Sequence, residues 1–81
     1  MEYDFIGEIM LFAFNWAPEY TLPCDGRILN IRENQALFSL LGAVYGGDGV
    51  STFALPDLRG AQPHPSMQYC IVTYGPYPSR P

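Results

Sequence analysis

Between Trp16 and Gly60 the chain is cut into short segments by residues that turn or stop a backbone. They are Asp25-Gly26, Gly42, Gly46-Gly47-Asp48-Gly49 and Pro56. No long helix or strand fits between such marks, so the fold must be built from brief elements and many loops. At 81 residues the chain supports a single domain spanning 1–81, and a chain of this size buries only about 60–65% of its unfolded surface. Six Tyr, five Phe and one Trp are enough to fill such a core and leave aromatic surface over, which points to a partner surface or to self-association.

The charge pattern excludes several function classes. The net charge is −4, lysine is absent, and Arg27, Arg32, Arg59 and Arg80 are dispersed along the chain. Phosphate-backbone binding needs clustered cations, so no nucleic-acid partner is expected. Phe5 to Phe14 is apolar but is broken by Gly7 and Glu8. It is too short to cross a bilayer and follows the acidic start Met1-Glu2-Tyr3-Asp4, so neither membrane insertion nor a secretory signal is expected. Cys24 and Cys70 with the single His64 are too few for a zinc site, and no cofactor is implied. The two thiols are expected to be buried and free, a bridge requiring their strands to be neighbours.

Ile6 to Ala13 reads as a strand with apolar residues on both faces, covered on both sides. Asn15 to Tyr20 reads as a loop carrying Trp16. Thr21–Cys24 and Arg27–Leu29 flank Asp25-Gly26, the sequence of a type I′ hairpin. Asn30 and Glu33 have the spacing of a capping box, which predicts a helix over Ile31–Leu41 with an apolar stripe of Ala36, Leu37, Leu40, Leu41 and Val44. Gly42 supplies its left-handed C-terminal cap. Gly46, Gly47, Asp48 and Gly49 form a tight loop, Thr52–Leu55 is extended and halted by Pro56, and Ala61–Ser66 is a loop. Met67–Tyr74 reads as a second good strand. The tail Gly75–Pro81 is expected to be extended, polyproline-like and available to a neighbouring subunit. The class is α+β: a small mixed β-sheet, one short helix and long loops.

Candidate chemistry is sparse. The glycine loop follows a helix and leads into a strand without Gly-Lys-Ser or Gly-Lys-Thr, unlike a phosphate cradle. Asp48 as a lone carboxylate reads as a turn residue rather than a calcium ligand. Pro56-Asp57-Leu58-Arg59-Gly60 reads as a turn in which Asp57 accepts backbone amides and Arg59 pairs with a carboxylate. His64 lacks the partners of a triad. Trp16 reads as core or interface, the alternative being a platform for a sugar ring with Asn15 or Asp25 bonding hydroxyls.

The ordered blocks Trp16, Cys24-Asp25-Gly26, Gln35–Gly42, Tyr45–Gly49 and Thr52–Gly60 resemble the phage tail collar domain, a module that recurs in microcystin-dependent proteins. Phe5-Ile6-Gly7-Glu8-Ile9, Met67-Gln68-Tyr69-Cys70-Ile71 and Pro78-Ser79-Arg80 extend the likeness to both ends. Where larger members carry a glycine- and histidine-rich insertion, only Ala61–Ser66 is present, so this is a minimal version.

The resemblance implies a non-enzymatic structural protein of a virion tail or extracellular appendage. It also implies assembly with copies of itself as a trimer or higher, up to a filament. A glycan or cell-surface receptor is the alternative partner. The aromatic and tail residues Phe12, Phe14, Trp16, Tyr69, Tyr74, Tyr77 and Pro78 are the candidate interface.

Overall fold

The computed structural model describes residues 4–79. Met1 to Tyr3, and Arg80 and Pro81 of the expected tail, lie outside the described residues. Five strands, β1 (Ile9–Phe12), β2 (Thr21–Pro23), β3 (Ile28–Asn30), β4 (Thr52–Ala54) and β5 (Gln68–Val72), accompany one helix, α1 (Gln35–Leu41), among the described residues. The α+β class holds. Pairing is antiparallel throughout and is divided between a three-stranded sheet of order β1-β5-β2 and a β3-β4 ribbon.

β5 is central because its side chains suit burial on both faces, and Cys70, Ile71 and Val72 are all buried. Its peptide groups alternate in direction. The Val72 N–H donates to the Glu8 carbonyl at 2.9 Å, on the β1 side. The Tyr69 carbonyl accepts from Cys24 N–H at 3.0 Å and the Thr73 N–H donates to Tyr20 at 2.8 Å, both on the β2 side.

The strand expected over Ile6–Ala13 is reduced to Ile9–Phe12. Gly7, at φ 89°, gives its N–H to Val72, while the Glu8 N–H turns back to Phe5. Nor is this strand covered on both sides: β1 lies at the sheet edge, and Ile9 and Leu11 are each 41% exposed.

The hairpin expected at Asp25-Gly26 does not form. Its two arms join different sheets, β2 pairing with β5 and β3 with β4. A type I′ turn needs positive φ at both central residues, and only Gly26 has it, at 78°. The β3-β4 register instead continues past the named strands: the Ile31 N–H donates to Ser51, Leu55 to Arg27, Gly26 to Pro56 and Leu58 to Cys24. Asp25 lies opposite Asp57 in this ladder. Pro56, without an N–H, leaves one rung incomplete.

The ribbon also explains why the helix begins at Gln35 and not at Ile31. Ile31 N–H is committed to Ser51 at 3.0 Å, and residues 31–33 then form a turn closed by the Asn34 N–H on the Ile31 carbonyl at 3.0 Å, so the helical bonding starts only with Phe38 N–H on Asn34. The Asn30 side chain accepts from Arg32 N–H at 2.8 Å, making a local turn. Asn34 takes the N-cap position without a side-chain cap, and Glu33 makes no capping bond. Leu37 is buried, and Phe38 meets Phe53 with ring centroids 5.3 Å apart. Ala36 is exposed and Val44 is 78% exposed, so the stripe is carried by Leu37, Phe38, Leu40 and Leu41. Gly42 ends the helix at φ 60° and ψ −157°. That conformation is extended in ψ, not the left-handed helical one expected, and is confined to glycine.

The glycine loop folds back on β4. A Cβ on Gly47 would lie 2.4 Å from the Phe53 Cα. Phe53 is fully buried at the centre of the core with Leu37, Leu55 and Ile71, so it has no room to yield. Gly47→Ala is therefore expected to cost about 2–4 kcal/mol. Gly60→Ala, at a similar φ of 88° but with nothing within 4 Å, is expected to cost about 1 kcal/mol. Urea unfolding of both variants measures the difference.

Candidate functional site

Asp25 and Asp57, opposite one another in the ribbon, would repel if left alone. Each is answered by an arginine two residues on. Arg27 donates Nε and a terminal NH2 to Asp25 at 3.1 and 3.0 Å. Arg59 does the same to Asp57 at 2.9 and 2.7 Å. In both turns the arginine's own backbone N–H also bonds the carboxylate. The guanidinium of Arg27 lowers the Asp25 pKa, and that of Arg59 lowers Asp57 to about 2. Two bidentate Asp-x-Arg turns thus face each other as a charge-neutral cluster at the point where the sheets join. The Asp57-Arg59 turn is the one the sequence predicts; at Asp25-Arg27 the same bidentate turn stands in place of the expected hairpin.

Asp48 is saturated by its own loop. One carboxylate oxygen accepts the N–H groups of Val50, Ser51 and Thr52 at 2.8, 2.9 and 2.9 Å. The other accepts the Ser51 hydroxyl at 3.0 Å. These donors, Thr52 foremost, hold the carboxyl well below the usual carboxylate range. The residue orders the turn that places Gly47 against Phe53. Among the described residues no cluster of three His, Cys, Asp or Glu side chains is arranged to hold a metal, and no helix is long and apolar enough to cross a membrane.

The aromatic candidates fall in separate places. Phe12, Phe14 and Trp16 stack in series, with centroid separations of 5.1 and 4.4 Å, and Trp16 is 60% exposed. Tyr69 is half-buried in β5 opposite Leu11. Tyr74 packs beside Tyr20 at 5.2 Å. Tyr20 adopts φ 68° while its carbonyl accepts from both the N–H and hydroxyl of Thr73. Tyr77 bonds the Ser39 hydroxyl at 2.7 Å, and Pro78 lines a shallow hollow with Leu40. The described part of the tail therefore lies along its own chain, tied also by Ile6 N–H to Pro76. Exposure of Ile9 and Leu11 is not legible in the sequence, where alternation marks a strand without telling which strand is at the edge.

A cleft of about 310 Å³ lies beside the Asp-Arg cluster, lined by Asn15, Asp25, Arg59, Gln62, Gln68 and Tyr69 among others. It is closed on one side by the short 61–66 loop. His64 in that loop is exposed and accepts from Ser66 N–H through Nδ1 at 3.1 Å.

The turns at Asp25, Asp48 and Asp57 and the loop that seats Gly47 all lie within the span that matches the model of the Phage Tail Collar Domain, residues 7–63. The chain belongs to the phage tail collar domain family. Comparison with curated proteins and with solved structures finds no match. The family is a structural one of phage tails, which indicates a structural role in a tail fibre. In this collar domain the match stops before β5, the strand on which the larger sheet is centred.

Both cysteines are free and buried, as expected. Cys24 stands beside Tyr69 in the ladder and Cys70 beside Pro23, so strand alternation sends the thiols to opposite faces. Burial foremost, with Cys70 and Asp25 adding to it, pushes the Cys24 thiol up to about 11.

Two pH effects follow. The three aspartates have depressed folded pKa values, so their stabilisation is present above the unfolded carboxylate value of about 4. It is lost as pH falls through about 2 for Asp57. Cys24 is raised, so its contribution is present below the unfolded thiol value and lost as pH rises through about 11. Thermal melts from pH 2 to 7 are expected to fall below about pH 4, and Asp48→Asn should flatten that acid limb while lowering the midpoint at neutral pH. Native Cys24 should resist alkylation at neutral pH and react on unfolding, which mass spectrometry resolves.

Proposed function

We propose that this collar domain is a non-enzymatic building module of a phage-tail fibre or a related extracellular appendage, and that it works by self-assembly into a homo-oligomer or filament. The supporting observation is the Phe12–Phe14–Trp16 stack, which holds a large aromatic surface in ordered contact yet leaves Trp16 mostly in solvent. Ordering an exposed aromatic row is useful to a protein that buries it against another molecule. Repeated contacts between copies supply the burial that a chain this small lacks by itself.

Light scattering on the purified chain is expected to show self-association rising with concentration, with a blue shift of the Trp16 emission as it is buried. Trp16→Ala should weaken association while leaving the fold intact. A strict monomer at high micromolar concentration overturns the proposal.

A second reading is that the module binds a glycan. Its support is the cleft beside the Asp-Arg cluster, where amides of Asn15, Gln62 and Gln68 and the Asp25 carboxylate accompany the Tyr69 ring, a combination suited to hydroxyls on one edge of a sugar and C–H groups on its face. Binding on a glycan array that disappears in Gln62→Ala supports it; no binding across the array by the assembled protein removes it.

A further inference from the structure

β1 is the open edge of the larger sheet, and the direction of its peptide groups follows from its one neighbour. The register pairs Ile9 with Ile71, Met10 with Cys70, Leu11 with Tyr69 and Phe12 with Gln68. Val72 N–H donates to Glu8, so the even-numbered residues of β1 face β5. The N–H and C=O groups of Ile9 and Leu11 then point away from the sheet, and no other described segment bonds them.

Edge strands that must remain single are kept very short, bulged or covered, or carry a lysine, a proline or an inward charge. β1 is four residues long and its ladder breaks at Gly7-Glu8, but it carries no chemical guard: no charged residue or proline lies between Ile9 and Ala17, and the side chains at the two outward positions are the partly exposed Ile9 and Leu11.

We infer that the free edge of β1 pairs antiparallel with the same edge of a second copy, joining two three-stranded sheets into one continuous sheet. This rests on the self-assembly reading and specifies its contact. The edge is complementary to itself. A two-fold axis at Met10 sets Ile9 of each copy opposite Leu11 of the other, in two hydrogen-bonded pairs, with both apolar side chains closing over each other. Charge selects this arrangement. The chain carries −4, and antiparallel pairing places Glu8 opposite Phe12, whereas parallel in-register pairing would set Glu8 against Glu8. The aromatic stack begins at Phe12, so the contact is continuous with the Trp16 surface, and a two-fold pair formed at β1 leaves Trp16 for a further contact in a larger assembly.

The experiment combines light scattering with amide hydrogen exchange by NMR on the full chain at low and high concentration. On association the Ile9 and Leu11 amides should gain protection by roughly tenfold or more, while Met10 and Phe12, already in the β1-β5 ladder, are protected throughout. Leu11→Pro removes an outward N–H without touching that ladder, and Ile9→Lys places a charge at the seam. Each should remain folded and halve the molar mass of the pair. Should Leu11→Pro fail to fold, the Ile9→Lys variant and the wild-type exchange pattern decide the matter. Association with Ile9 and Leu11 exchanging as fast as in the dilute protein, or with unchanged mass in the folded Ile9→Lys variant, overturns the edge contact and leaves self-assembly standing. A wild-type chain that never associates overturns both.

Discussion

The peptide groups of Cys24 hold the two halves of this molecule together. Its N–H bonds Tyr69 in the three-stranded sheet, and its carbonyl accepts from Leu58 in the long ribbon. One residue therefore ends one ladder and begins the other. Its thiol is buried in the core cluster with Ile6, Leu37, Phe53, Leu55 and Ile71, so water cannot compete for either bond. Next to it Asp25 faces Asp57. Each aspartate is paired with the arginine of its own turn, so the junction carries no net charge.

The rest of the fold follows from keeping this crossing tight. The ribbon supplies Phe53 and Leu55 to the core, and Gly47 lets the preceding loop rest directly on the backbone of Phe53. Asp48 freezes that loop with its own amides. The helix starts late because residues 31–33 are used in the turn that leaves the ribbon. Left outside are the far edge of the larger sheet with its aromatic extension and, elsewhere, Ile28, Val44, Tyr45, Val50 and Tyr74. Three carboxylates of this collar domain, Asp25, Asp48 and Asp57, are spent inside its turns.

Turn chemistry was legible residue by residue. Asp48, Gly47 and Asp57 are legible because their constraints are local: a carboxylate reaching amides two to four positions on, or a backbone angle only glycine accepts. β5 was recognised from its β-branched and aromatic run, and the order of these blocks pointed to the collar family. Pairing partners were not legible. Asp25-Gly26 carries a strong hairpin signal, yet β2 prefers β5, because pairing with a central strand buries Cys70, Ile71 and Val72 at once. Asn30 and Glu33 match a cap, yet Asn30 lies in the ribbon. In both places a non-local ladder outweighed a local preference, which for a helix cap is about 1 kcal/mol.

The sequence alone determined most of the places where the backbone turns, the glycines and aspartates at the 46–49 and 56–60 turns, and that the chain is a small α+β module of the collar type, since these depend on contacts within a few positions of one another. Tertiary structure decided which strands meet, where the helix begins, that Asp25 confronts Asp57, and which strand is left at the edge. Those outcomes compare the burial gained by alternative long-range pairings, and that comparison exists only once distant segments share one core.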